Sequence, residues 1–361
     1  MYSVIMTASM ALKKNKSYNF PEPMANSELT GHSGTIAAFT DAFARIAEYP
    51  LHPVWMLAGV RGIGKATLAY HIARYVFKNT GSKNPNPDDS LALFENTDQT
   101  NQQSVISNMQ PFSLPTDDPV FQKMIQGGFG DFFIIDMAHN TDKDGRPKTD
   151  GKSISVHTVR AMIEKMQMSS MEGAWRVVII DSLDELTVAA ANAMLKLLEE
   201  PPAQTLFILV SHSLANTLPT IRSRARVEKM QPLSISQLRE LFYKFIPDED
   251  ASPALLKLAN GSFGRIAELK KNGGDALYER LLPLCADSRA NAADVMALAA
   301  QIAKEPALHG IILDAAAHFG LADLYPLVTR EITAINALHL EPEIAIFKLI
   351  MEIRKNVISC S

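Results

Sequence analysis

The sequence has few cysteines, no excess of positive charge and no long apolar run. Only Cys285 and Cys360 occur among 361 residues, too few for a disulfide framework or a four-cysteine zinc site. With 35 basic and 39 acidic side chains the net charge is −4, so no overall positive field draws the chain onto nucleic acid. No apolar stretch approaches the roughly 18 residues of a membrane-spanning helix. These absences predict a cytoplasmic protein with reduced thiols and no membrane association.

The N-terminal segment also lacks the residue order of a secretory signal. Residues 2–12 are mildly apolar, but Lys13, Lys14 and Lys16 follow this stretch instead of preceding it. We therefore predict no signal peptide and interpret residues 1–27 as a flexible tail.

What the chain does have is an alternation of short apolar runs with amphipathic segments. The apolar runs predict strands at 54–58, 132–135, 175–180 and 206–210. Continuously apolar strands joined by helices indicate an α/β fold with a parallel sheet covered on both faces. Beyond Pro232 the strand signals disappear and the chain is predicted to be helical. The predicted domains are a sheet domain at 28–231 with a polar insertion at 79–128, a small helical lid at 232–275 and a second helical domain at 276–361.

A glycine-rich loop follows the first predicted strand and precedes a predicted helix. Residues 59–67 read Gly-Val-Arg-Gly-Ile-Gly-Lys-Ala-Thr, which is a phosphate-binding loop of the form G-x4-G-K. Gly59, Gly62 and Gly64 allow backbone N–H groups to converge on phosphate oxygens, and Lys65 offers a cation to the β- and γ-phosphates. The alternative, a glycine-rich turn with a solvated lysine, is less favoured because the strand–loop–helix context is complete.

Two positions that ATP hydrolysis requires carry residues without the necessary group. Ala66 stands where a hydroxyl normally binds Mg²⁺, and Thr67 comes one residue too late. Asp181 ends an apolar strand and fits the metal-coordinating acid, but Ser182 follows where a carboxylate would polarise the attacking water. The acidic residues at 184–185 are interpreted as serving a helix N-terminus. We predict no hydrolysis, and the residues are compatible both with bound ATP or ADP and with no nucleotide.

The stretch from Asp181 to Pro202, ending in Asn-Ala-Met-Leu-Lys-Leu-Leu-Glu-Glu-Pro-Pro, resembles the signature of AAA+ clamp-loader subunits. Three further stretches resemble motifs of that family: Leu-Thr-Gly-His at 29–32 (the adenine-side motif), Thr-Ile-Arg-Ser-Arg-Ala at 220–225 (the S-R-C motif with alanine for cysteine) and Asn-Gly-Ser-Phe-Gly-Arg at 260–265 (the lid arginine). The resemblance covers residues 28–275, and the C-terminal helices only by position and length.

The resemblance implies an AAA+ P-loop domain, a lid and a helical collar that holds an oligomer together. It implies membership in the bacterial DNA polymerase III clamp loader, which uses ATP to open a sliding clamp and place it on primed DNA. The implied partners are the gamma or tau motor subunits, the delta subunit, and through the complex the beta clamp. DNA contact would be indirect or through phosphates. The implied nucleotide-binding residues are Gly59, Gly62, Gly64, Lys65, Thr67, Asp181 and Arg265.

The missing hydroxyl and carboxylate point, within this family, to the subunit that does not hydrolyse ATP. Its expected catalytic residue is Arg224, an arginine finger that acts on ATP bound by a neighbouring motor subunit. The alternative for this arginine is an ion pair with a nearby carboxylate of its own chain. The polar insertion, 79–128, lies where many relatives carry a four-cysteine zinc module, and its lack of cysteine predicts that zinc has been lost.

Two other functions compete with this one. An ATP-hydrolysing motor, or another AAA+ ATPase, would need a hydroxyl at 66 and a carboxylate at 182. A stand-alone nucleotide sensor or scaffold with the same fold would not need Arg224, because an arginine finger has meaning only opposite another subunit's nucleotide.

Overall fold

The structure is a computed structural model that describes residues 18–80, 112, 114–148, 153–167, 175–338 and 341–360. The chain divides into two units. The first, Pro21–Gln237, contains the sheet. The second, from Leu238 onward together with the described residues before Pro21, is helical.

The described residues of the sheet unit form five strands, all paired in parallel, in the order β2-β3-β4-β1-β5. The strands are β1 Val54–Ala58, β2 Phe132–Asp136, β3 Arg176–Asp181, β4 Thr205–Ser211 and β5 Arg226–Lys229. The first four confirm the strands predicted from apolar runs. The fifth was not predicted, because three of its four residues are charged.

Helices connect the strands and cover the two faces of the sheet. Those of this unit are α1 Ser33–Ala44, α2 Lys65–Thr80, α3 Pro119–Ile125, α4 Val156–Gln167, α5 Val188–Glu199 and α6 Pro219–Arg222, and α7 Ile235–Phe245 begins here. Thr187 caps the start of α5, because its hydroxyl accepts a hydrogen bond from the backbone N–H of Ala190 at 3.2 Å. α5 ends at Glu199, just before the two prolines that cannot continue a helix.

Alternate residues of the strands face two separate apolar cores. Trp55 and Ile179 belong to the core that α1 and α2 cover, and Met56 and Ile180 belong to the core that α4 and α5 cover. Because both faces of the sheet are buried at its centre, β1 is apolar throughout and β3 and β4 are apolar along most of their length. The α/β architecture with a two-sided parallel sheet and a helical C-terminal region is therefore confirmed.

A buried arginine on α2 fastens the chain that precedes α1. Arg74 donates from Nη1 to the carbonyl oxygen of Asn26 at 2.9 Å and from Nη2 to that of Met24, and its guanidinium lies 4.3 Å from the centre of the Phe121 ring. Burial lowers the pKa of Arg74 to about 10. Residues 24–26, part of the segment interpreted as a flexible tail, are thus held against α2.

In the part of the chain that the structure describes, the helical unit contains the rest of α7 and seven further α-helices. These are α8 Pro253–Leu258, α9 Phe263–Lys271, α10 Gly274–Ala286, α11 Ala292–Ala303, α12 Gly310–His318, α13 Tyr325–Leu338 and α14 Pro342–Cys360. Tyr18 and Phe20 also belong here: the Tyr18 hydroxyl donates to Glu249 at 2.7 Å, and Phe20 packs edge-on against Phe245 and Phe263. The division of this region into a lid ending at 275 and a collar beginning at 276 stays a prediction.

Two further predictions concern the polar insertion and the N-terminal tail. Most of the polar insertion at 79–128, including the place where a zinc module was expected to be lost, lies outside the described residues, as do residues 1–17 of the predicted tail. Among the helices that the structure describes, none is both long and apolar enough to span a bilayer.

Phe39 provides a test of the core beneath α1 and α2. Its buried ring lies 5.0 Å from the Trp55 ring, centre to centre, and also contacts the rings of Phe43 and Tyr75. We expect Phe39→Ala to lower the free energy of unfolding of the sheet unit by about 3–5 kcal/mol, because it removes transfer energy and leaves a cavity. Tryptophan fluorescence during denaturation reports on this unit, which holds both tryptophans of the chain.

Tyr49→Ala is the matched control, because the Tyr49 side chain is 67% exposed. Its effect should stay within about 0.5 kcal/mol, as for surface substitutions in general. Equal losses in the two variants would contradict the assigned core.

Candidate functional site

Parallel pairing brings the carboxyl ends of four strands together at one edge of the sheet. Ala58 at the end of β1 is in register with Ser211 at the end of β4. Asp136 at the end of β2 is in register with Asp181 at the end of β3. The crevice outside the carboxyl ends of such strands is where open α/β sheets bind ligands. The structure therefore places the glycine-rich loop and Asp181 at one candidate site, as the sequence predicted.

The glycines of the loop meet specific backbone requirements. Gly62 and Gly64 have positive φ angles of 79° and 100°, a region that side chains other than glycine rarely adopt. At Gly59 a Cβ atom would lie only 2.6 Å from the carbonyl oxygen of Met230. The loop therefore has the close-packed, left-handed turns that allow N–H groups to converge on an anion.

Lys65 is held by its own loop. The side chain is 3% exposed, and its Nζ donates to the carbonyl oxygens of Gly59 at 2.7 Å and Val60 at 2.6 Å. Burial lowers the pKa of Lys65 to about 8, and Asp181 opposes this shift by favouring the ammonium. An ammonium has three N–H donors, so one remains for a phosphate oxygen.

Asp181 carries a carboxyl group whose ionisation is unfavourable. Burial raises its pKa to about 6, and repulsion from Asp136 and Glu185 acts in the same direction, whereas Lys65 acts against it. The carboxylate thus stands among other acids and faces one buried lysine, the arrangement of a site that accepts a cation or a proton.

The two positions that lack hydrolytic groups differ in their surroundings. Ala66 and Thr67 lie half-buried in the first turn of α2, so a small hydroxyl at 66 would fit without repacking the core. Ser182 is only 1% exposed, and its Oγ has no hydrogen-bond partner among the described residues. A glutamate at 182 would have to displace packed neighbours. Ser182 therefore supplies no carboxylate, and the packing around it is matched to a small side chain.

The Leu-Thr-Gly-His segment lies against the loop, and His32 makes the connection. His32 Nε2 lies 2.7 Å from the carbonyl oxygen of Ile63, so this nitrogen carries the proton and donates. Burial lowers the pKa of His32. A Cβ on Gly31 would come within 2.8 Å of the Leu233 side chain, so the segment also packs closely against the residues that precede α7. The sequence resemblance placed His32 in the adenine-side motif but did not predict its hydrogen bond to the loop.

Asp184 has a role that the sequence interpretation missed. Its carboxylate accepts hydrogen bonds from the backbone N–H groups of His212 at 2.6 Å and Ser213 at 3.2 Å, beyond the end of β4. Asp184 lies in the first turn of a short 3-10 helix, Leu183–Glu185, and in addition joins that turn to the residues that follow β4. Glu185 instead lies 3.9 Å from Arg61 of the loop.

His212 joins the site through the same contact. Burial lowers its pKa to about 4, with a further contribution from the nearby charge of Lys65, and its Nδ1 has no hydrogen-bond partner in the described part of the chain. The signal that could have found His212 and Asp136 is positional. Both stand at or just beyond the ends of predicted parallel strands, and such strands end at one edge of the sheet.

Arg224 lies just after α6, and its contacts join it to the α6 turn and to the end of α5. Its Nη1 donates to the carbonyl oxygen of Thr220 at 2.8 Å and to Ser223 Oγ at 3.3 Å, and its Nη2 forms an ion pair with Glu199 at the end of α5. The ion pair that the sequence analysis gave as the alternative is therefore present in the chain by itself. The role of Arg224 toward a neighbouring subunit stays a prediction.

Arg265 belongs to the helical unit, whereas the loop and Asp181 belong to the sheet unit. Its Nη2 donates to Asp314 Oδ2 at 2.8 Å, and Nη1 lies 3.7 Å from Glu268. Burial raises the pKa of Asp314, and the guanidinium opposes that shift. The structure thus gives Arg265 partners within its own unit, and its assignment to the nucleotide stays a prediction.

Comparison with known proteins identifies related sequences. Residues 37–234 match the family described as DNA polymerase III, delta subunit. The chain is 33% identical over 144 residues to DNA polymerase III subunit delta' of Pseudomonas aeruginosa, covering 39% of this chain and 40% of that protein. It is 36% identical over 119 residues to subunit delta' of Escherichia coli, covering 33% and 36%. The matches thus span about two fifths of the length of these relatives.

Similarity extends to a second kind of subunit and to solved structures. DNA polymerase III subunit gamma of Buchnera aphidicola subsp. Schizaphis graminum is 25% identical over 246 residues, covering 66% of this chain and 56% of that protein. A gamma subunit-related protein from Thermotoga maritima has a solved structure that matches with a TM-score of 0.38 at 17% identity, covering 63% of this chain and 83% of that one.

The raised pKa of Asp181 predicts a stability gain on neutralising this residue. A carboxyl with a higher pKa in the folded than in the unfolded state stabilises the fold at low pH, and this contribution is lost as the pH rises through about 6. Asp181→Asn should therefore increase the free energy of unfolding by on the order of 1–3 kcal/mol at about pH 8, and by little at about pH 4.

Denaturation of both proteins at the two pH values measures this difference. Asp117→Asn, which removes an exposed carboxylate of the same unit, is the control and should change little at either pH. A destabilising effect of Asp181→Asn at the higher pH would contradict the electrostatic account.

Proposed function

The chain belongs to the DNA polymerase III delta subunit family, and on that premise we propose that it is the delta-prime subunit of a clamp loader. In this role it hydrolyses no ATP itself. It helps to load the sliding clamp onto primed DNA, and Arg224 acts on ATP bound by a neighbouring motor subunit. The family match at residues 37–234 covers more than half of the chain and supports the general assignment.

The observation that supports the non-hydrolysing role is that one site retains a phosphate-binding loop but lacks the groups needed for hydrolysis. The loop keeps its positive-φ glycines and Lys65 at the carboxyl edge of the sheet. Ala66 supplies no hydroxyl for Mg²⁺, and Ser182 is buried where a carboxylate would have to stand. The site has the frame of an ATPase without the groups that fix the metal and activate water.

These residues fit a phosphate group better than they fit a metal ion. The N–H groups of the loop and the remaining N–H of Lys65 would hold a phosphate chain. A bound nucleotide would supply the negative charge that compensates the buried lysine. Asp181 alone would face a Mg²⁺ ion, without the hydroxyl that normally completes the protein's share of its ligands. The proposal therefore requires no cofactor, and allows ATP or ADP to bind without hydrolysis.

The proposed partners follow from the relatives. Subunits named delta', gamma and tau/gamma all show sequence similarity to the chain. We place this protein next to a gamma or tau motor and a delta subunit, with the helical C-terminal region as the collar. It would reach the beta clamp through the complex. The net charge of −4 favours DNA contacts that are indirect or limited to phosphates.

The first test concerns hydrolysis. We expect the purified chain to show no ATP turnover above background, with or without primed DNA and clamp, and Lys65→Ala to change nothing. Ala66→Ser restores the Mg²⁺ hydroxyl but should not create turnover, because the base is still missing. A steady rate that Lys65→Ala abolishes would identify the chain as a motor subunit instead.

The second test concerns Arg224 in the assembled complex. Arg224→Ala should leave the subunit folded and the complex intact but reduce ATP turnover at the adjoining site by on the order of 10³-fold. Arg224→Lys should be nearly as impaired, because an ammonium cannot reproduce the planar fork of a guanidinium. The total rate falls only in part, since other motor sites keep their own arginines.

Arg222→Ala is the matched control, because Arg222 is an exposed arginine two residues away. Size-exclusion chromatography with the gamma or tau and delta subunits checks assembly for each variant. Normal ATP turnover and clamp loading by an assembled Arg224→Ala complex would remove the arginine-finger part of the proposal. Failure of the unmodified chain to assemble would remove the clamp-loader assignment and favour a stand-alone protein.

A further inference from the structure

In this structure the guanidinium of Arg224 has few N–H donors available for a phosphate of a neighbouring subunit. Of its five N–H donors, two on Nη1 are directed to the carbonyl oxygen of Thr220 and to Ser223 Oγ, and one on Nη2 is directed to Glu199. The Nε atom is buried and has no hydrogen-bond partner among the described residues. Only the second N–H of Nη2 remains, whereas a two-point grip on phosphate needs two parallel N–H groups. The arginine must therefore leave these contacts to act as a finger.

Glu199 is a partner with its own reason to hold a cation. It is the last residue of α5, and Glu200 follows directly. The carboxyl end of a helix carries partial negative charge, so a carboxylate there is unfavourable, and the adjacent acid adds repulsion. Arg224 is the only basic residue that pairs with Glu199 within the described part of the chain. The ion pair thus compensates a local excess of negative charge in the free subunit.

We propose that Glu199 is a latch that retains Arg224 in the free subunit and yields it to a phosphate of the neighbouring subunit's ATP. This inference rests on the proposed role of Arg224 and adds its control: the carboxylate and the phosphate compete for one guanidinium. Glu199 is in this sense a positioning residue, since it acts through Arg224 and touches no nucleotide.

The exposure of the pair suits a latch that can open. The side chains of Arg224 and Glu199 are 32% and 48% exposed, so water and salt weaken their attraction. A polyphosphate carries more negative charge than one carboxylate and accepts the planar fork at two points. It can therefore displace Glu199, and the pair lowers the apparent affinity at that interface by only about 1.5- to 5-fold, the range of an exposed ion pair.

The experiment measures ATP turnover of the assembled complex against ATP concentration for the unmodified chain, Glu199→Gln, Arg224→Ala and the double variant. The turnover that Arg224→Ala abolishes belongs to the interface in question. For Glu199→Gln we expect the KM of this component to fall by about 1.5- to 5-fold, with kcat unchanged. In the Arg224→Ala background the same substitution should have no effect. Glu200→Gln is the matched control and should leave KM and kcat unchanged.

Other outcomes separate the latch from its premise. A rise in KM or a fall in kcat for Glu199→Gln would mean that the carboxylate holds Arg224 in its active position, and would overturn the latch, as would an unchanged KM. An effect of Glu199→Gln that persists without Arg224 would overturn it as well. If Arg224→Ala itself changes nothing in an intact complex, the arginine finger fails, and with it the basis on which the latch rests.

Discussion

The parallel alignment of the five strands, of which the central β1, β3 and β4 are buried on both faces, is the constraint on which the rest of the structure depends. Because all five run in one direction, their carboxyl ends meet at a single edge. The glycine loop after β1, Asp136 after β2, Asp181 after β3 and His212 after β4 are far apart in the chain but become neighbours there. The same burial that makes the strands stable also encloses the groups at their ends.

Enclosure explains the electrostatics of this edge. Burial disfavours the charged forms of both Lys65 and Asp181, which lowers the pKa of one and raises that of the other, while their mutual attraction compensates in part. Buried charged groups with shifted pKa values are typical of sites that bind ions or phosphates. Such groups bring no advantage to the packing of the core. Here they persist beside Ala66 and a buried Ser182, which cannot support hydrolysis. A phosphate-binding loop without a catalytic base is consistent with a subunit that contributes to catalysis through a different part of its surface.

That contribution, in the proposed function, comes from a second place with opposite physical properties. Arg224 lies just after a single-turn helix and is partly exposed, and it is held by the exposed carboxylate of Glu199 and by two contacts within its own turn. The solvent-exposed ion pair of Arg224 can be replaced by a contact with another anion. The buried hydrogen bonds of Lys65 are replaced less easily. The chain therefore separates a fixed, enclosed site from an arginine that is free to change partners. The proposed arginine-finger role and the proposed latch both follow from this difference in burial.

The sequence by itself determined the α/β fold, four of the five strands, the glycine loop and the missing hydrolytic groups. These features are local. Apolar runs, glycine spacing and residue identity can be recognised in the sequence without knowing which segments pack together. Strand β5 could not be predicted from the sequence, because Arg226 and its charged neighbours form a strand only by pairing with β1. In that pairing the Arg226 guanidinium stacks over the Trp55 ring at 4.1 Å. Only the tertiary structure decided that Asp184 holds the end of β4, that His32 binds the loop, and that Glu199 pairs with Arg224. Each of these contacts joins residues that are far apart in the chain, and their distances are set by the packing of the sheet and its helices.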